Sequence, residues 1–325
     1  MPIKNTLHTK NRFKHSYDLK SLVNAQPSLQ KHIIKTTVGK DSVDFSSPEA
    51  VRLLNQALLK SQYNIHYWQV PSKNLCPGIP GRLDYLCYLN ELLTEDHVSS
   101  HSSKIKALDI GTGASCIYPL LGVKEFNWRF VGSDIDPNSL ANSQNIVEQN
   151  QLDQQIELRL QAKSGAIFQH IIKADEYFAV TLCNPPFHRS LAEASQGTQR
   201  KWQNLNNTKQ AGNVQKQRQS EQAARNNSAL NFGGQHAELW CDGGEVKFIR
   251  NMIKESRFYA QQVLWFTSLV SKKDSLSAIK LSAKKQPIKQ FKVIKMMQGN
   301  KTSRFIAWSF MTLEEQKSWC AKHLK

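Results

Sequence analysis

Short apolar runs alternate with amphipathic stretches between residues 104 and 270 of this chain. Five such runs, near residues 105–110, 128–134, 156–161, 178–183 and 262–269, predict β-strands. Helical stretches separate them, and Pro137 to Asn150 is one example, for which Asp136 is the predicted N-cap. Strands that alternate with helices predict an α/β fold with a mostly parallel, doubly wound sheet.

The last 40 residues change pattern. Two further runs, Lys289 to Met297 and Arg304 to Met311, flank Gln298-Gly-Asn-Lys301 and predict an antiparallel hairpin. Thr312-x-x-Glu315 then has the form of a capping box, which predicts a short final helix.

Residues 1–95 predict a helical accessory region that precedes the α/β domain of residues 96–325. Ser47 and Pro48 supply an N-cap and a first-turn proline for a helix through Val51–Leu59, and a second helix covers about Leu83 to Leu93. The connection at residues 70–81 is rich in Pro and Gly and predicts a loop.

Residues 189–235 interrupt the α/β pattern with a run of Gln, Asn, Ser and Lys that holds almost no aliphatic side chains. Such a segment buries too little apolar surface to offset its ordering entropy, so we expect a mobile insertion. It is either a flap that contacts a substrate or a tolerated insertion without a role.

Candidate chemistry begins with Asn184-Pro185-Pro186-Phe187, directly after the apolar run 178–183. In open α/β sheets ligands bind just beyond the carboxyl ends of strands. The two prolines restrict the backbone around Asn184, so its side-chain oxygen and the next carbonyl are held in place as hydrogen-bond acceptors. Together with an aromatic ring, these groups are suited to binding a planar NH2 group. A plain Asn-Pro turn is the alternative.

A glycine turn lies upstream, in Asp109-x-Gly111-x-Gly113, between the first predicted strand and a helix. Glycines here allow a ligand to approach the backbone. Cys116 stands where a dinucleotide fingerprint needs its third glycine, which disfavours nicotinamide binding. Asp134 ends the second strand, where it is placed to accept hydrogen bonds from ribose hydroxyls.

Charge is concentrated at the two ends of the chain, whose net charge is +17. Residues 1–40 hold eight Lys or Arg against one acidic residue, and residues 271–325 hold thirteen against three. The remaining residues are neutral overall, so two basic ends flank a neutral body, as expected for a protein that binds a polyanion. In the N-terminal arm basic and aromatic residues are interleaved, which suits phosphate contact and stacking on RNA; these are Lys10, Arg12, Phe13 and Lys14.

Other features exclude several classes of protein. The six cysteines are scattered, and the ten histidines lack ligand spacing, so neither a disulfide framework nor a metal site is predicted. The N-terminus has no apolar run, and no stretch reaches the length of a membrane span. We therefore expect a cytoplasmic protein.

The glycine turn, Asp134 and the Asn-Pro-Pro-Phe tetrapeptide, in this order, resemble those of class I S-adenosylmethionine-dependent methyltransferases that act on an amine nitrogen. Longer segments are similar to the family that includes the ribosomal RNA large subunit methyltransferases F and the methyltransferase-like 16 proteins. They are Thr9–Lys14, Pro48–Arg52, Pro80–Tyr85, Asp109–Gly122, Val147–Asn150, Cys183–Phe187 and Gly243–Glu245.

The resemblance implies a Rossmann-like, seven-stranded sheet and N6-methylation of a single adenine in 23S ribosomal RNA, adenine 1618 in the bacterial members. S-adenosylmethionine would be the cofactor, S-adenosylhomocysteine the product, and no metal would be needed. The RNA substrate would be 23S rRNA or a large-subunit assembly intermediate, bound by a monomer.

The resemblance also implies roles for single residues. Asn184, Pro185, Pro186 and Phe187 would be catalytic, and Arg82 would lie near the cofactor's methionine carboxylate. Asp109 would order the glycine turn or reach the cofactor amine through water. Lys163 and Ser164 match positions near the cofactor's adenine and its access loop, and we assign Ser164 to the cofactor and Lys163 to RNA. The predicted cofactor set is Arg82, Asp109, Gly111, Gly113, Asp134 and Ser164.

Two other functions stay open at this point. A protein glutamine-N5 methyltransferase holds a carboxamide in the same type of clamp, but usually carries Tyr at the aromatic position. A non-catalytic RNA-binding or ribosome-assembly protein is the second alternative, and the intact glycine turn, Asp134 and tetrapeptide disfavour it.

Overall fold

The structure, a computed structural model, describes residues 7–95, 104–163, 165–186, 241–298 and 301–324. The predicted insertion at 189–235 lies outside these residues.

The accessory region consists of short elements followed by two long helices. In chain order they are α1 (Leu19–Ala25), a 3-10 helix (Pro27–His32), β1 (Ile33–Lys35), β2 (Asp41–Val43), α2 (Pro48–Tyr63) and α3 (Ile79–Glu95). The small antiparallel hairpin of β1 and β2 is not evident in the apolar pattern, because each strand has only three residues.

Both long helices confirm the sequence signals, with one correction. Ser47 Oγ accepts a hydrogen bond from Ala50 N at 3.3 Å, and Pro48 occupies the first turn of α2. Helix α3 begins at Ile79, inside the predicted loop of residues 70–81. Pro80 and Gly81 therefore belong to the first turn of α3, where a missing proline N–H costs no intrahelical hydrogen bond.

The α/β part follows the predicted alternation. Its elements are β3 (Lys106–Ile110), α4 (Ile117–Phe126), β4 (Arg129–Asp134), α5 (Pro137–Gln149), β5 (Ile156–Leu160), β6 (Phe178–Cys183), α6 (Gly244–Ser256), β7 (Val263–Leu269), α7 (Ser275–Ala283), β8 (Gln290–Gln298), β9 (Lys301–Ser309) and α8 (Leu313–His323). Asp136 caps α5, and Thr312 with Glu315 forms the predicted capping box of α8.

The seven strands form one sheet in the order β5-β4-β3-β6-β7-β9-β8. Strands β3 to β7 pair in parallel, whereas β9 is antiparallel to both β7 and β8. This is the seven-stranded sheet of class I methyltransferases, which confirms the predicted fold. The strand order reverses at β3, between β4 and β6, so a crevice opens at the carboxyl ends of these strands.

The accessory region shares its hydrophobic core with the sheet. A single cluster of buried side chains extends from Phe13 to Trp319. Tyr85 on α3 also makes a buried hydrogen bond of 2.6 Å to Thr267 on β7. The accessory region is therefore packed against the sheet through α3. The division at residues 95 and 96 stays a prediction.

None of the helices that the structure describes is both long enough and apolar enough to span a bilayer.

Gly122 on α4 allows this helix to pack closely on β4. A Cβ atom at this position would lie 2.3 Å from Phe130 Cε2. The Phe130 ring is buried, with 2% exposure, and has little room to move. We expect Gly122→Ala to lower the free energy of unfolding by about 1–3 kcal/mol, as overpacking does in other cores. Urea denaturation measures this.

Gly78→Ala is the matched control, because a Cβ atom at residue 78 would meet nothing within 4 Å. Equal stabilities of the two variants would contradict the packing argument. The double variant Gly122→Ala/Phe130→Leu should regain part of the loss.

Candidate active site

The glycine turn after β3 adopts the backbone conformation that its glycines permit. Gly111 and Gly113 have φ values of 73° and 65°, in the left-handed region. The backbone N–H groups of Gly111 and Thr112 both donate to the carbonyl oxygen of Ser133 at 2.9 Å. The turn is therefore fastened to the end of β4, and its exposed backbone faces the crevice.

Asp134 fixes the same turn from below. Its Oδ2 accepts a hydrogen bond from Gly113 N at 2.8 Å, and its Oδ1 accepts one from Asp136 N at 3.0 Å. Burial raises the pKa of this carboxyl group, and these hydrogen bonds act in the opposite direction. A carboxylate offers about four lone-pair sites, so Asp134 keeps acceptor capacity for a ligand hydroxyl.

Side chains from α5 and from the accessory region hold the rest of the turn. Ser143 Oγ donates to Gly113 O at 2.7 Å, and Asn142 Nδ2 donates to Ala114 O at 2.7 Å. Trp68 Nε1 donates to Ser115 O at 2.9 Å. The turn is thus preorganised, and the accessory region takes part in ordering it.

Asp109 differs from its predicted arrangement. Its carboxylate is fully buried beneath the turn, and neither oxygen has a hydrogen-bond partner among the described residues. The nearby Thr112 hydroxyl opposes the effect of burial on the pKa of Asp109, although it forms no hydrogen bond with the Asp109 carboxylate. Asp134 instead accepts the hydrogen bond from the turn at Gly113 N, and the alternative that Asp109 reaches the cofactor amine through water stays a prediction.

Arg82 on α3 reaches the crevice from the accessory region. Its Nη1 donates to Tyr118 Oη at 3.1 Å, and its guanidinium lies 5.5 Å from the centre of the Tyr118 ring. Within the described part of the chain no carboxylate approaches Arg82 within 4.0 Å. The guanidinium is thus positioned by a phenol and available for an anionic group of a ligand.

Asn184 directly follows β6, all of whose residues are buried. Its Oδ1 atom is buried and accepts no hydrogen bond from any described residue. A buried acceptor without a donor is costly, unless a ligand supplies the donor. Pro185 and Pro186 line the same cavity. Phe187 lies outside the described residues, so its stacking role stays a prediction.

One cavity of about 220 Å³ brings these groups together at the reversal of strand order. Of the predicted site residues it includes Arg82, Gly111, Gly113, Asp134, Asn184, Pro185 and Pro186. The side of the cavity next to Asp134 is lined by apolar side chains. One of them, Ile135, is 59% exposed, which is unusual for an aliphatic residue and leaves its surface available to a ligand. This surface suits a flat ring.

Several lining residues were not predicted. Gln161 follows β5, and the general position of ligands beyond strand ends could have identified it. Tyr118, Cys241 and Phe248 also line the cavity. The last two come after the polar segment at 189–235, so nothing in their spacing connects them with the crevice.

A loop after β5 closes one side of the cavity with Ala166 and Ile167. Glu255 on α6 accepts hydrogen bonds from the backbone N–H groups of Ile167, Phe168 and Gln169 at 2.8–2.9 Å. Lys163 is exposed at the rim, where its Nζ donates to Gln169 Oε1 at 2.8 Å. Ser164 lies outside the described residues.

The N-terminal arm requires a correction. Phe13 is only 8% exposed and packs against Tyr63, so its ring is not available for stacking on RNA. Arg12 forms an ion pair of 2.7 Å with Glu125 and lies over the Tyr63 ring. Both residues attach the arm to the protein. Lys10 and Lys14 are exposed, and their contact with RNA stays a prediction.

In the described ranges no three His, Cys, Asp or Glu side chains lie close enough together to bind a metal ion.

Comparison with known proteins gives a consistent result. A family profile described as RNA methyltransferase matches residues 1–312. The chain is 47% identical to a ribosomal RNA large subunit methyltransferase F of Pseudomonas entomophila, over 99% of this chain and 98% of the relative. It is 52% identical to the protein of the same name from Colwellia psychrerythraea, over 94% and 99%.

Solved structures of human METTL16 have the same fold. The catalytic domain in complex with MAT2A 3'UTR hairpin 1 is 26% identical, with a TM-score of 0.73 and coverage of 94% of this chain and 96% of that one. The N-terminal domain in complex with SAH is 25% identical, with a TM-score of 0.71 and coverage of 94% and 99%. With a profile match over nearly its whole length and relatives close to half identical, this chain belongs to the RNA methyltransferase family.

Proposed function

We propose that this protein transfers a methyl group from S-adenosylmethionine to N6 of one adenine in 23S ribosomal RNA, adenine 1618 by resemblance to the family. The cavity of about 220 Å³ at the reversal of strand order is called the cofactor cavity below. The observation that carries the proposal is the buried Oδ1 of Asn184 on the wall of this cavity, which accepts no hydrogen bond from any described residue. An exocyclic amine is the donor that such an acceptor lacks.

The relatives support this substrate class. Two proteins that match nearly the full chain are named as large-subunit ribosomal RNA methyltransferases. The METTL16 catalytic domain has been solved with an RNA hairpin, and its N-terminal domain with SAH, the demethylated cofactor. The basic ends of the chain fit a polyanionic substrate.

The cavity fits the cofactor chemically. S-adenosylmethionine, when bound, supplies a methyl group activated by a sulfonium. Arg82 carries the free cation that a methionine carboxylate needs, and Asp134 keeps acceptor sites for ribose hydroxyls. Ile135 and Ile167 offer an apolar surface to an adenine ring.

Asp109 adds charge to this fit. Its buried carboxylate has no compensating hydrogen bond among the described residues. Burial raises its pKa to about 7, and the neighbouring Asp134 acts in the same direction. A cofactor that carries an ammonium and a sulfonium would compensate this buried charge. Asp109 thus serves the cofactor through its field rather than by a direct hydrogen bond.

Asn184 and the Pro185 carbonyl orient and polarise the target amine. The N6 lone pair of adenine is delocalised into the ring, which makes the amine a weak nucleophile. When Asn184 Oδ1 and the Pro185 carbonyl accept hydrogen bonds from the two N6–H groups, electron density returns to the nitrogen. The proton becomes acidic once the methyl has been transferred, and it leaves to water through the same contacts. Orientation is the main contribution, since well-placed reactants gain about 7–11 kcal/mol. The adenine must leave its stack to reach this site.

The same clamp would hold a glutamine carboxamide, so a protein glutamine-N5 methyltransferase is the alternative function. The basic chain ends favour RNA over a protein substrate. We place the protein in the cytoplasm, as a monomer that acts on 23S rRNA or on a large-subunit assembly intermediate.

Labelled S-adenosylmethionine distinguishes these functions. The purified protein is incubated separately with naked 23S rRNA, assembled large subunits and a release factor, and modified nucleosides and amino acids are identified by mass spectrometry. We expect N6-methyladenosine in the RNA at a single position. Label in protein, in another nucleoside, or in no substrate would refute the proposal.

Asn184→Ala tests the clamp. Removal of the buried acceptor should lower kcat about 100-fold, as removal of one preorganised polar group does in other enzymes. The dissociation constant of S-adenosylmethionine, measured by calorimetry, should change less than about threefold, because Asn184 faces the target base. Asn24→Ala, on the exposed side of α1, is the control. A kcat equal to that of the control would refute the role.

Asp109→Asn tests the buried charge. The folded protein protonates Asp109 with a pKa of about 7, whereas the unfolded chain does so near 4. The folded state therefore holds an additional proton between these values, and the stability due to Asp109 falls as the pH rises through this window. The amide of the Asp109→Asn variant does not titrate. The difference in unfolding free energy between the variant and the parent should therefore shift in favour of the variant by about 1–3 kcal/mol from pH 5 to pH 8.

Urea denaturation without cofactor at the two pH values measures this gain. Asp153→Asn, at an exposed carboxylate, is the matched control and should follow the parent. A parallel pH dependence of Asp109→Asn and the parent would mean that the buried carboxylate is not protonated in this range.

A further inference from the structure

A second cavity, of about 200 Å³, lies on the accessory region and is separate from the cofactor cavity. One wall is the C-terminal half of α2, with Gln56 and Lys60, and the other is the segment 65–69 that follows this helix. Its lining combines amide, aromatic and cationic side chains. The established family and the proposed methyl transfer leave this cavity without a role.

Amide groups form a partly satisfied network in this cavity. Gln26 Nε2 donates to Gln56 Oε1 at 2.8 Å, and Gln56 Nε2 donates to Trp68 O at 3.0 Å. Among the described residues the Gln69 side-chain amide makes no hydrogen bond, and Gln26 Oε1 accepts none. Gln69 thus offers a donor and Gln26 an acceptor within the lining of one cavity, which are the groups required to bind the edge of a nucleobase.

Two rings complete the lining. His66 Nε2 lies 2.6 Å from Asn64 Oδ1, a hydrogen bond that orients the imidazole ring. Tyr67 Oη accepts a hydrogen bond from Asn145 Nδ2 at 2.8 Å, which fixes the orientation of its ring. Preoriented rings suit stacking on a base, which tolerates any sequence.

The charge of the cavity points to a nucleotide within a strand. Lys60 is the one lysine or arginine among the described residues that line it, and no carboxylate lies within 4.0 Å of Lys60 in the described part of the chain. A phosphodiester carries one negative charge and can pair with a single ammonium, whereas a free nucleotide ends in a phosphate of about −1.5 to −2.

The second cavity is mechanically joined to the cofactor cavity. The segment that lines it continues to Leu75 and Pro77, which line the cofactor cavity. Asn142 on α5 donates to both Gln69 O at 2.9 Å and Ala114 O at 2.7 Å, and so connects the second cavity with the glycine turn. From Ser139 to Asn145, α5 rises only about 9 Å between the two cavities.

We propose that this second cavity binds one unstacked nucleotide of the RNA substrate other than the target adenine. The amides of Gln26 and Gln69 form hydrogen bonds with the edge of its base. The rings of His66 and Tyr67 stack on this base, and the ammonium of Lys60 pairs with its phosphate. The inference rests on RNA as the substrate of the proposed function, and it adds a contact that positions the strand.

A double variant tests the contact. Lys60→Ala/Gln69→Ala removes an ammonium and an amide that form no side-chain hydrogen bond or ion pair in the described part of the chain, so the fold should persist. We expect its affinity for a labelled rRNA fragment that spans the target, measured by fluorescence anisotropy, to fall about tenfold. The dissociation constant of S-adenosylmethionine without RNA should stay within about twofold.

Gln154→Ala/Lys254→Ala is the matched control, because it removes the same two side chain types from exposed positions that line neither cavity and lie outside the two basic ends of the chain. Its RNA affinity should stay within about twofold of the parent. Equal affinities of the two double variants would overturn the proposal, even if the parent methylates rRNA as proposed. Failure of the parent to methylate any RNA would instead refute the proposed function, and the binding assay still decides on the cavity.

Photocrosslinking identifies the ligand. A photoreactive base is placed in turn at each position of the rRNA fragment, and the crosslinked peptide is sequenced. We expect a position other than the target to crosslink to His66 or Tyr67. Crosslinks confined to other peptides would overturn the proposal. AMP, GMP, CMP and UMP are titrated in parallel, and saturable binding of one of them at this cavity, tighter than that of the RNA, would show a free-nucleotide site instead.

Discussion

The pairing of β3 with both β4 and β6 is the constraint on which the site depends. Parallel registers align Ile110 with Ser133 on one side and with Cys183 on the other. The glycine turn after β3, Asp134 at the end of β4 and Asn184 after β6 are thus brought to one edge, although 75 positions separate Asp109 from Asn184. Any shift of one strand by a residue would turn its side chains to the other face and remove one part of the site.

Electrostatic imbalance is the second feature of this edge. Among the described residues, the cavity is lined by a guanidinium without a carboxylate partner and by a buried amide oxygen without a donor. The carboxylate of Asp109, which also lacks a donor, is fully buried at the end of β3, next to the glycine turn. Each would be costly in a protein whose stability depends on its own contacts alone. In the proposed function they would be compensated by the carboxylate and cationic groups of the cofactor and by the amine of the substrate.

The accessory region is part of the catalytic structure and not an appended module. Its Arg82 and Trp68 contact Tyr118 and the glycine turn, and its helices share one hydrophobic core with the sheet. Binding of RNA to this region would therefore act on elements that contact the cofactor turn directly. The attachment of the N-terminal arm through Arg12 and Phe13 follows the same principle, because two residues that look suited to RNA instead fasten the arm to α2 and α4.

The sequence by itself determined the fold class, the parallel strands and the caps of α2, α5 and α8, and it identified the candidate site residues at three strand ends. It could do so because hydrophobic periodicity and capping are local, and because the carboxyl ends of parallel strands always meet at one edge. Tertiary structure alone decided which polar groups are free. Asp134 and not Asp109 binds the turn, Phe13 is buried, and the segment 65–69 forms a cavity with α2. These outcomes depend on contacts between residues far apart in the chain, for which local spacing carries no signal.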